Sequence, residues 1–409
     1  MATIEQLYQC YSRRVQATLI RLLGDFSLAE EASQEAFAAA LQQWPATGEP
    51  DNPLAWLIRT GYRRGIDQLR RHGTARRNAH LIATSDAMTE AMVEPDERSI
   101  EDDQLRLLFT CCHPSLTMEA RVALTLREMC GLTTEQVASA LLTKPATLAQ
   151  RIVRAKRKIR DAGIPYEVPE RTQLPQRLPS VLQVIYLVFN EGYSRSDGEQ
   201  VIDVNLIDEA IRLGRALADL LPHGEVFGLL ALMLLHDARR DTRQTVSGEL
   251  MTLEEQDRKR WDAERIRTGL AWLERALPLT PVSAYTLQAS IAAVHAQAPS
   301  AETTDWARIV RLYEALYLQQ PTPILALNRA VAVAIRDSPQ AGLMLLDALS
   351  EHPQMHHYHL YHAAKAELYR RSGDRLAAVQ AYQQALALAS QYPERQFLTR
   401  RLAELNLPA

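Results

Sequence analysis

The stretch EARVALTLREMCGLTTEQVASALLTKPATLAQRIVRAKRKIR, residues 119–160, reads as a helix, a short turn, a second helix and then a strongly basic third helix. From Thr143 to Arg160 it carries seven Lys or Arg and no acid. Leu148, Ile152, Ala155 and Ile159 recur at helical spacing and are expected to face inward. That leaves Gln150, Arg151, Arg154, Lys156, Arg157, Lys158 and Arg160 for solvent or a polyanion. Thr143 is expected as N-cap, and Pro145 suits the first turn, where its missing N–H is not needed. A basic helix behind a helix-turn-helix has the build to enter a DNA major groove. Alone, it is equally compatible with an ordinary solvated cationic face.

The rest of the chain has to decide. At 409 residues it is too long for one typical core, and two or three domains are expected. A net charge of −3 gives no overall reason to expect nucleic acid, but the charge is unevenly spread. Residues 53–82 hold seven Arg against one Asp, and residues 86–103 hold eight acids against Arg98. The four cysteines (Cys10, Cys111, Cys112 and Cys130) lie among apolar neighbours without CxxC spacing, as core thiols of a reducing compartment would. The N-terminus lacks the apolar run of a signal peptide, and no apolar run approaches a membrane span, so a soluble, cytoplasmic protein is expected.

Helical periodicity dominates throughout, which predicts an all-α fold. Helices are expected near 3–23, 28–43, 53–71, 102–111, 117–129, 133–141 and 145–161, with an acidic linker over 73–101. Four prolines between 165 and 179 mark a second break, followed by a helical extension over 164–300. The last part, 301–409, repeats: Tyr369, Gly373, Ala378, Tyr382 and Ala385 stand at tetratricopeptide (TPR) spacing. Degenerate copies carry Ala341, Leu345, Ala348 and Pro353, and then Ile309, Tyr313, Leu316 and Pro321. Such solenoids commonly offer a concave face to a protein segment. Around the histidines of EHPQMHHYHLYH (351–362) no Cys or acid beyond Glu351 and Glu367 is near to complete a closed metal shell, and no metal or other cofactor is expected. FNEGYSRSDGE (189–199) has catalytic residue types but no histidine near a nucleophile, so it is read as a turn rather than an active site.

The N-terminal unit supplies the context that the basic helix needs. In LAEEASQEAFAAALQQW (28–44), Ala29, Ala32, Ala36, Phe37, Ala40 and Leu41 form an inward stripe. Glu30, Glu31, Gln34 and Glu35 form a polar face near the helix start, where acids are favoured. After the Pro-rich WPATGEPDNP, the helix LAWLIRTGYRRGIDQLRR interleaves Arg59, Arg63, Arg64, Arg70 and Arg71 with Trp56 and Tyr62. Arginines for phosphate and aromatics for base faces suit an unstacked nucleic-acid strand.

These motifs, in this order, resemble bacterial σ70-type initiation factors of the extracytoplasmic-function (ECF) class, built from regions 2 and 4 alone. YLVFNEGYS (186–194), DEAIRLGRAL (208–217), GLLALMLLHDARR (228–240) and the terminal repeats resemble the TPR-like extension of one ECF subgroup. The resemblance implies region 2 over 1–72, the linker over 73–101 and region 4 over 102–163. It implies that Glu30, Glu31, Gln34, Glu35 and Phe37 dock on the β′ clamp of core RNA polymerase, with region 4 on the β flap. Trp56, Arg59, Tyr62, Arg63, Arg64, Asp67, Arg70 and Arg71 would meet the promoter −10 element. Thr143, Lys144, Thr147, Gln150, Arg151, Arg154 and Lys156 would meet the −35 element. The acidic linker would thread toward the RNA exit path, and the TPR-like part is expected to regulate activity, either by folding back on regions 2 and 4 or by binding a cytoplasmic protein. Leu28, Ser33 and Tyr62-Arg63 depart from the usual residues, so a −10 preference does not carry over from relatives. The competing expectation is a helix-turn-helix regulator with a TPR sensor that acts without being a polymerase subunit; it would have no use for the 28–71 segment.

Overall fold

The computed structural model describes residues 4–71, 97–141, 143–170, 172–194, 202–245 and 248–406. Among these the fold is all-α, with a single isolated β-bridge between Gln244 and Leu250. The chain divides into two compact units, Met1–Val188 and Phe189–Ala409.

The first unit begins with α1 (Ile4–Leu23), α2 (Phe26–Thr47) and α3 (Pro53–Arg71), which pack on one another. Asp25 caps α2, its carboxylate accepting from the N–H groups of Ser27 at 2.8 Å and Leu28 at 3.0 Å. That cap starts the helix two residues before the expected position. The helix also runs past the expected end, through Pro45, until Gly48 stops it at φ +84°. Trp44, buried edge-to-face against Trp56 at 5.3 Å, holds this last turn in place. The inward stripe of α2 is as read except at Leu41, which is exposed; Phe26 and Trp44 extend it. In α3, Leu54, Leu57, Ile58, Gly61, Ile66 and Leu69 recur at helical spacing and are all buried.

The acidic segment expected at 73–101 lies outside the described residues up to 96. Helix α4 starts at Glu97 and runs to Cys111, packing on α1. Arg21 of α1 and Arg106 of α4 share the buried carboxylate of Asp103, at 2.5 and 2.7 Å. The helix-turn-helix follows as α5 (Met118–Leu124), α6 (Thr134–Ala140) and α7 (Pro145–Asp161). A π-helical turn, Thr125–Met129, continues α5, and Gly131 at φ +70° turns the chain toward α6. Cys111, Cys112 and Cys130 are free thiols in this core, and burial pushes that of Cys112 up to about 12.

The second unit takes over within α8 (Leu174–Tyr193). Around α10 (Gly224–Asp237), apolar on nearly every side and buried, pack α9 (Val204–Leu220), α11 (Ala263–Ala276) and α12 (Ala284–Gln297). A helix apolar all round belongs in a core. Gly228 lets α10 meet the backbone of α12, for a Cβ there would stand 2.7 Å from the Thr286 nitrogen. Gly228→Ala should therefore cost about 1–3 kcal/mol. Faster native-state hydrogen exchange in α10 and α12 is the readout; unchanged protection would show that the contact can relax.

Helical pairs complete the unit: α13 (Trp306–Gln319), α14 (Pro323–Arg336), α15 (Pro339–Asp347), the short α16 (Pro353–His356), α17 (His359–Ser372), α18 (Arg375–Leu388) and α19 (Tyr392–Asn406). In the clearest repeat, Gly373 ends α17 in the left-handed conformation while Ala378, Tyr382 and Ala385 are buried. Tyr382 donates to Glu367 at 2.9 Å. Burial alone would raise the Glu367 pKa, but hydrogen bonds from Arg370, Arg371 and Tyr382 prevail and hold it at about 2. The preceding copy is offset from its expected register, since Gly342 and Leu346 are buried instead of Ala341 and Leu345. Close approach to α14 selects the glycine, because a Cβ at Gly342 would lie 2.3 Å from that of Ala334. In the histidine-rich segment His359 pairs with Glu394 at 3.1 Å, and His362 lies 3.1 Å from the carbonyl of His356. Among the described residues no group of three metal-ligating side chains forms.

Candidate nucleic-acid interface

Helix α7 is built as a blade with two working faces. Its N-cap is Lys144, not Thr143, and no side chain closes the cap. Pro145 occupies the first helical position and forces the residue before it into extended backbone, here φ −76° and ψ 137°. Thr143 stands one place earlier and donates its N–H to Ala138 at 2.8 Å, the contact that joins α7 to α6. Leu148, Ile152, Ala155 and Ile159 are all buried. On one outward face Lys144, Thr147, Gln150 and Arg154 are exposed and Arg151 is half-buried. Thr147, Gln150, Arg151 and Arg154 border a cleft of about 320 Å³ whose far wall is Ser115, Leu116 and Thr117, just before α5.

Lys156 faces another way. Its ammonium sits 2.8 Å from Glu128 and 3.4 Å from Glu30, with the side chain 15% exposed. Glu30 also pairs with Arg127 at 2.9 Å, and Glu128 accepts from Gln16 at 2.8 Å. One carboxylate of α2 is thereby tied to two cations of the helix-turn-helix. Glu128 is itself 1% exposed, and burial raises its pKa against the pull of Lys156. Phe26 lies under Lys156 and meets Tyr166 edge-on at 5.7 Å, and Asp25 stands 3.8 Å from Arg160. A smaller cleft of about 120 Å³ runs between these groups. The sequence reading did not foresee Arg127 and Glu128. The available signal was Glu128 following Ala120 and Leu124 at intervals of four, which places an acid on a buried stripe.

The other candidates spread over α2 and α3. Glu31 and Gln34 are exposed; Glu35 accepts from Gln68 at 3.0 Å and lies 3.9 Å from Arg64. Phe37 is buried and meets Tyr8 edge-to-face at 4.9 Å, so it supports this face from behind. Arg59, Arg63, Arg64, Arg70 and Arg71 are exposed along α3, with Asp67 3.8 Å from Arg70. Trp56 is half-buried, whereas Tyr62 is 1% exposed and burial raises its pKa. Tyr62 falls between the buried Ile58 and Ile66, one turn from each, and is part of the core instead of the arginine-bearing surface.

Comparison with known proteins meets this geometry at both blades. The family model for Sigma-70 region 2 matches residues 7–74, and that for Sigma-70, region 4 matches residues 106–159. The chain is 29% identical over 187 residues to the probable ECF RNA polymerase sigma factor SigI of Mycobacterium tuberculosis (strain CDC 1551 / Oshkosh), covering 45% of this chain and 60% of SigI. It is 29% identical over 154 residues to the ECF RNA polymerase sigma factor SigK of Mycobacterium ulcerans (strain Agy99), covering 36% of this chain and 79% of SigK. The chain belongs to the extracytoplasmic-function class of σ70-type sigma factors. A sigma factor is an initiation factor, not an enzyme, and membership of this family implies binding to core RNA polymerase and to promoter DNA. Beyond region 4 this sigma factor carries a long helical part, of which residues 177–277 match a family of unknown function (DUF6596). It is 41% identical over 400 residues to the uncharacterized protein R00370 of Rhizobium meliloti (strain 1021), covering 96% of this chain and 94% of that protein. No solved structure matches. No helix among the described residues is long and apolar enough to cross a membrane.

Proposed function

We propose that this sigma factor docks on the β′ clamp of core polymerase through Glu30, Glu31, Gln34 and Glu35, meets the −10 element with the arginines of α3 and reads the −35 element with α7. The observation that carries this is the outward face of α7, where Lys144 is exposed and Thr147, Gln150 and Arg154 are exposed beside an open cleft. Run-off transcription with core polymerase tests it. Initiation is expected at promoters that carry both elements, and no initiation from any such template in the presence of core would sink the reading.

In the same reading, the packing of region 2 on region 4 is a resting state. Glu30 cannot serve Arg127 and Lys156 while it contacts polymerase. Arg127 is outside the candidate DNA-contacting set, and its pair with Glu30 is about one-third exposed on both sides. Arg127→Ala should therefore raise affinity for core polymerase by about two- to fivefold, the equivalent of roughly 0.5–1 kcal/mol for a partly exposed pair. Equal or weaker binding in a titration of labelled protein with core would count against the resting state.

Release of that state is the role we assign to the C-terminal helical unit, acting with a cytoplasmic protein held by its TPR-like repeats. A deletion that tests this should begin after Ser194, not after Gly163. Tyr166, Arg177 and Ser180 lie beyond 163 yet belong to the first unit: Arg177 donates to the Phe109 carbonyl at 2.5 Å and Arg121 to Ser180. Transcription in cells should change on deletion of 195–409; identical output from the shortened protein would remove the regulatory role.

A further inference from the structure

Four side chains of the second unit meet at the end of α8 in an arrangement that region 2 and region 4 chemistry does not use. The ring of Tyr193 carries the Arg243 guanidinium 3.6 Å from its centroid and that of Arg239 at 5.7 Å. The His236 ring meets it edge-on at 5.3 Å, and Phe189 stacks on it at 5.6 Å. Arg243 donates to the Tyr193 carbonyl, and Arg239 lies 3.1 Å from His236 Nδ1. Two guanidinium groups are thus brought over one aromatic ring, which cation–π attraction makes tolerable but does not neutralise.

Their neighbours are treated differently. Arg240 and Arg265 both reach the buried Asp237, at 2.5 and 2.9 Å, and Arg212 reaches Glu209 at 2.9 Å. Arg239 and Arg243 meet no carboxylate among the described residues. Burial, and then the adjacent Arg239, lowers the pKa of Arg243. Burial and the charges of Arg239, Arg243 and His295 push His236 well below its ordinary value, so its imidazole is neutral. His295 behind it is held at about 4 by burial and by Arg239 and Arg258. The Tyr193 hydroxyl is buried with no hydrogen-bond partner among the described residues. A set of donors with uncompensated positive charge is costly to assemble unless something negative completes it.

We propose that Tyr193, His236, Arg239 and Arg243 form a binding site for a small ligand bearing an oxyanion, either a phosphate or a carboxylate. The planar forks of two arginines match either group, and the Tyr193 hydroxyl and neutral His236 supply further hydrogen bonds. His236, Arg239 and Arg243 are half-buried, so each keeps part of its surface open to solvent. The site lies outside regions 2 and 4, and the inference does not depend on how those regions contact promoter DNA.

Thermal shift and isothermal titration calorimetry on the full-length protein test it, with inorganic phosphate, succinate and sodium chloride matched in ionic strength. A saturable response to phosphate or to succinate, above that of chloride, is expected; which of the two responds assigns the ligand chemistry. Arg239→Met should abolish the response. Arg239→Lys, which keeps the charge and loses the fork, should weaken it about tenfold. Should the Met variant fail to fold by circular dichroism, the Lys variant decides. The basic residues of α7 bind anions too, which is why the variants matter. No response above chloride, or an undiminished response in the folded variants, overturns the proposal.

Discussion

Lys156→Met will destabilise the N-terminal unit by about 3–5 kcal/mol at pH 7.5, and adding Glu128→Gln will restore most of the loss. Removing one partner of a buried pair strands the other charge, whereas replacing both leaves neither unsolvated. Here the stranded group is Glu128, whose side chain is 1% exposed and already has a raised pKa with Lys156 present. The pH dependence follows from that direction. A carboxyl whose folded pKa lies above its unfolded value binds its proton more tightly in the native state, so stability falls as pH rises through the interval between the two. Loss of Lys156 removes a lowering influence and moves the upper limit of that interval higher. The penalty should therefore be large at pH 7.5 and smaller near pH 5. Native-state hydrogen exchange of α5 and α7 reads this unit by itself, which a global unfolding curve of a two-unit chain would not. A loss under 1 kcal/mol at pH 7.5, or an added loss in the double variant, would show that Glu128 finds water.

Much of this was legible from spacing. The stripe Leu148, Ile152, Ala155 and Ile159 is a local pattern, and one period of 3.6 residues fixes it without knowledge of the rest of the chain. The two residues that local spacing misplaced, Tyr62 and Lys156, are amphipathic, and each borders a buried stripe. At such borders the partner decides. Lys156 turns inward because Glu128 and Glu30 wait there, and Glu30 lies 126 residues away in sequence. No periodicity carries that information. Thr143 was misread for a different reason: its cap preference is real, but the ring of Pro145 dictates which residue precedes the helix. In the second unit the helices were foreseen but not the arginines over Tyr193: the ring belongs to α8 and the arginines to the chain after α10, about fifty residues on, with no motif linking them.

The division of α7 into two faces gives the other large effect. Arg151→Ala and Arg154→Ala should each lower transcription from a −35-dependent promoter by the equivalent of about 1–3 kcal/mol if they reach base edges, and by about 2–6 kcal/mol together. Both border the cleft shared with Ser115 and Thr117, whereas Lys156, Arg157 and Arg160 border the cleft shared with Asp25 and Phe26. The proposed resting contact and the proposed DNA face therefore use different sides of one helix. In the proposed reading, the packing that occupies Glu30 leaves Arg154 exposed, so the closed form would be blocked at polymerase docking and not at DNA contact. The expected signature separates the two steps. The arginine variants should lose promoter output while affinity for core polymerase stays unchanged, and Arg127→Ala should change affinity for core with the same promoter preference. Salt adds a further discrimination. Loss of a phosphate contact reduces the slope of log affinity against log salt by about one for each contact, while loss of a base contact leaves the slope and relaxes the sequence preference. Transcription assays over a set of single-base −35 variants, repeated at two salt concentrations, read both quantities. Unaltered preference and slope in Arg151→Ala/Arg154→Ala would move the −35 reading away from this face of α7.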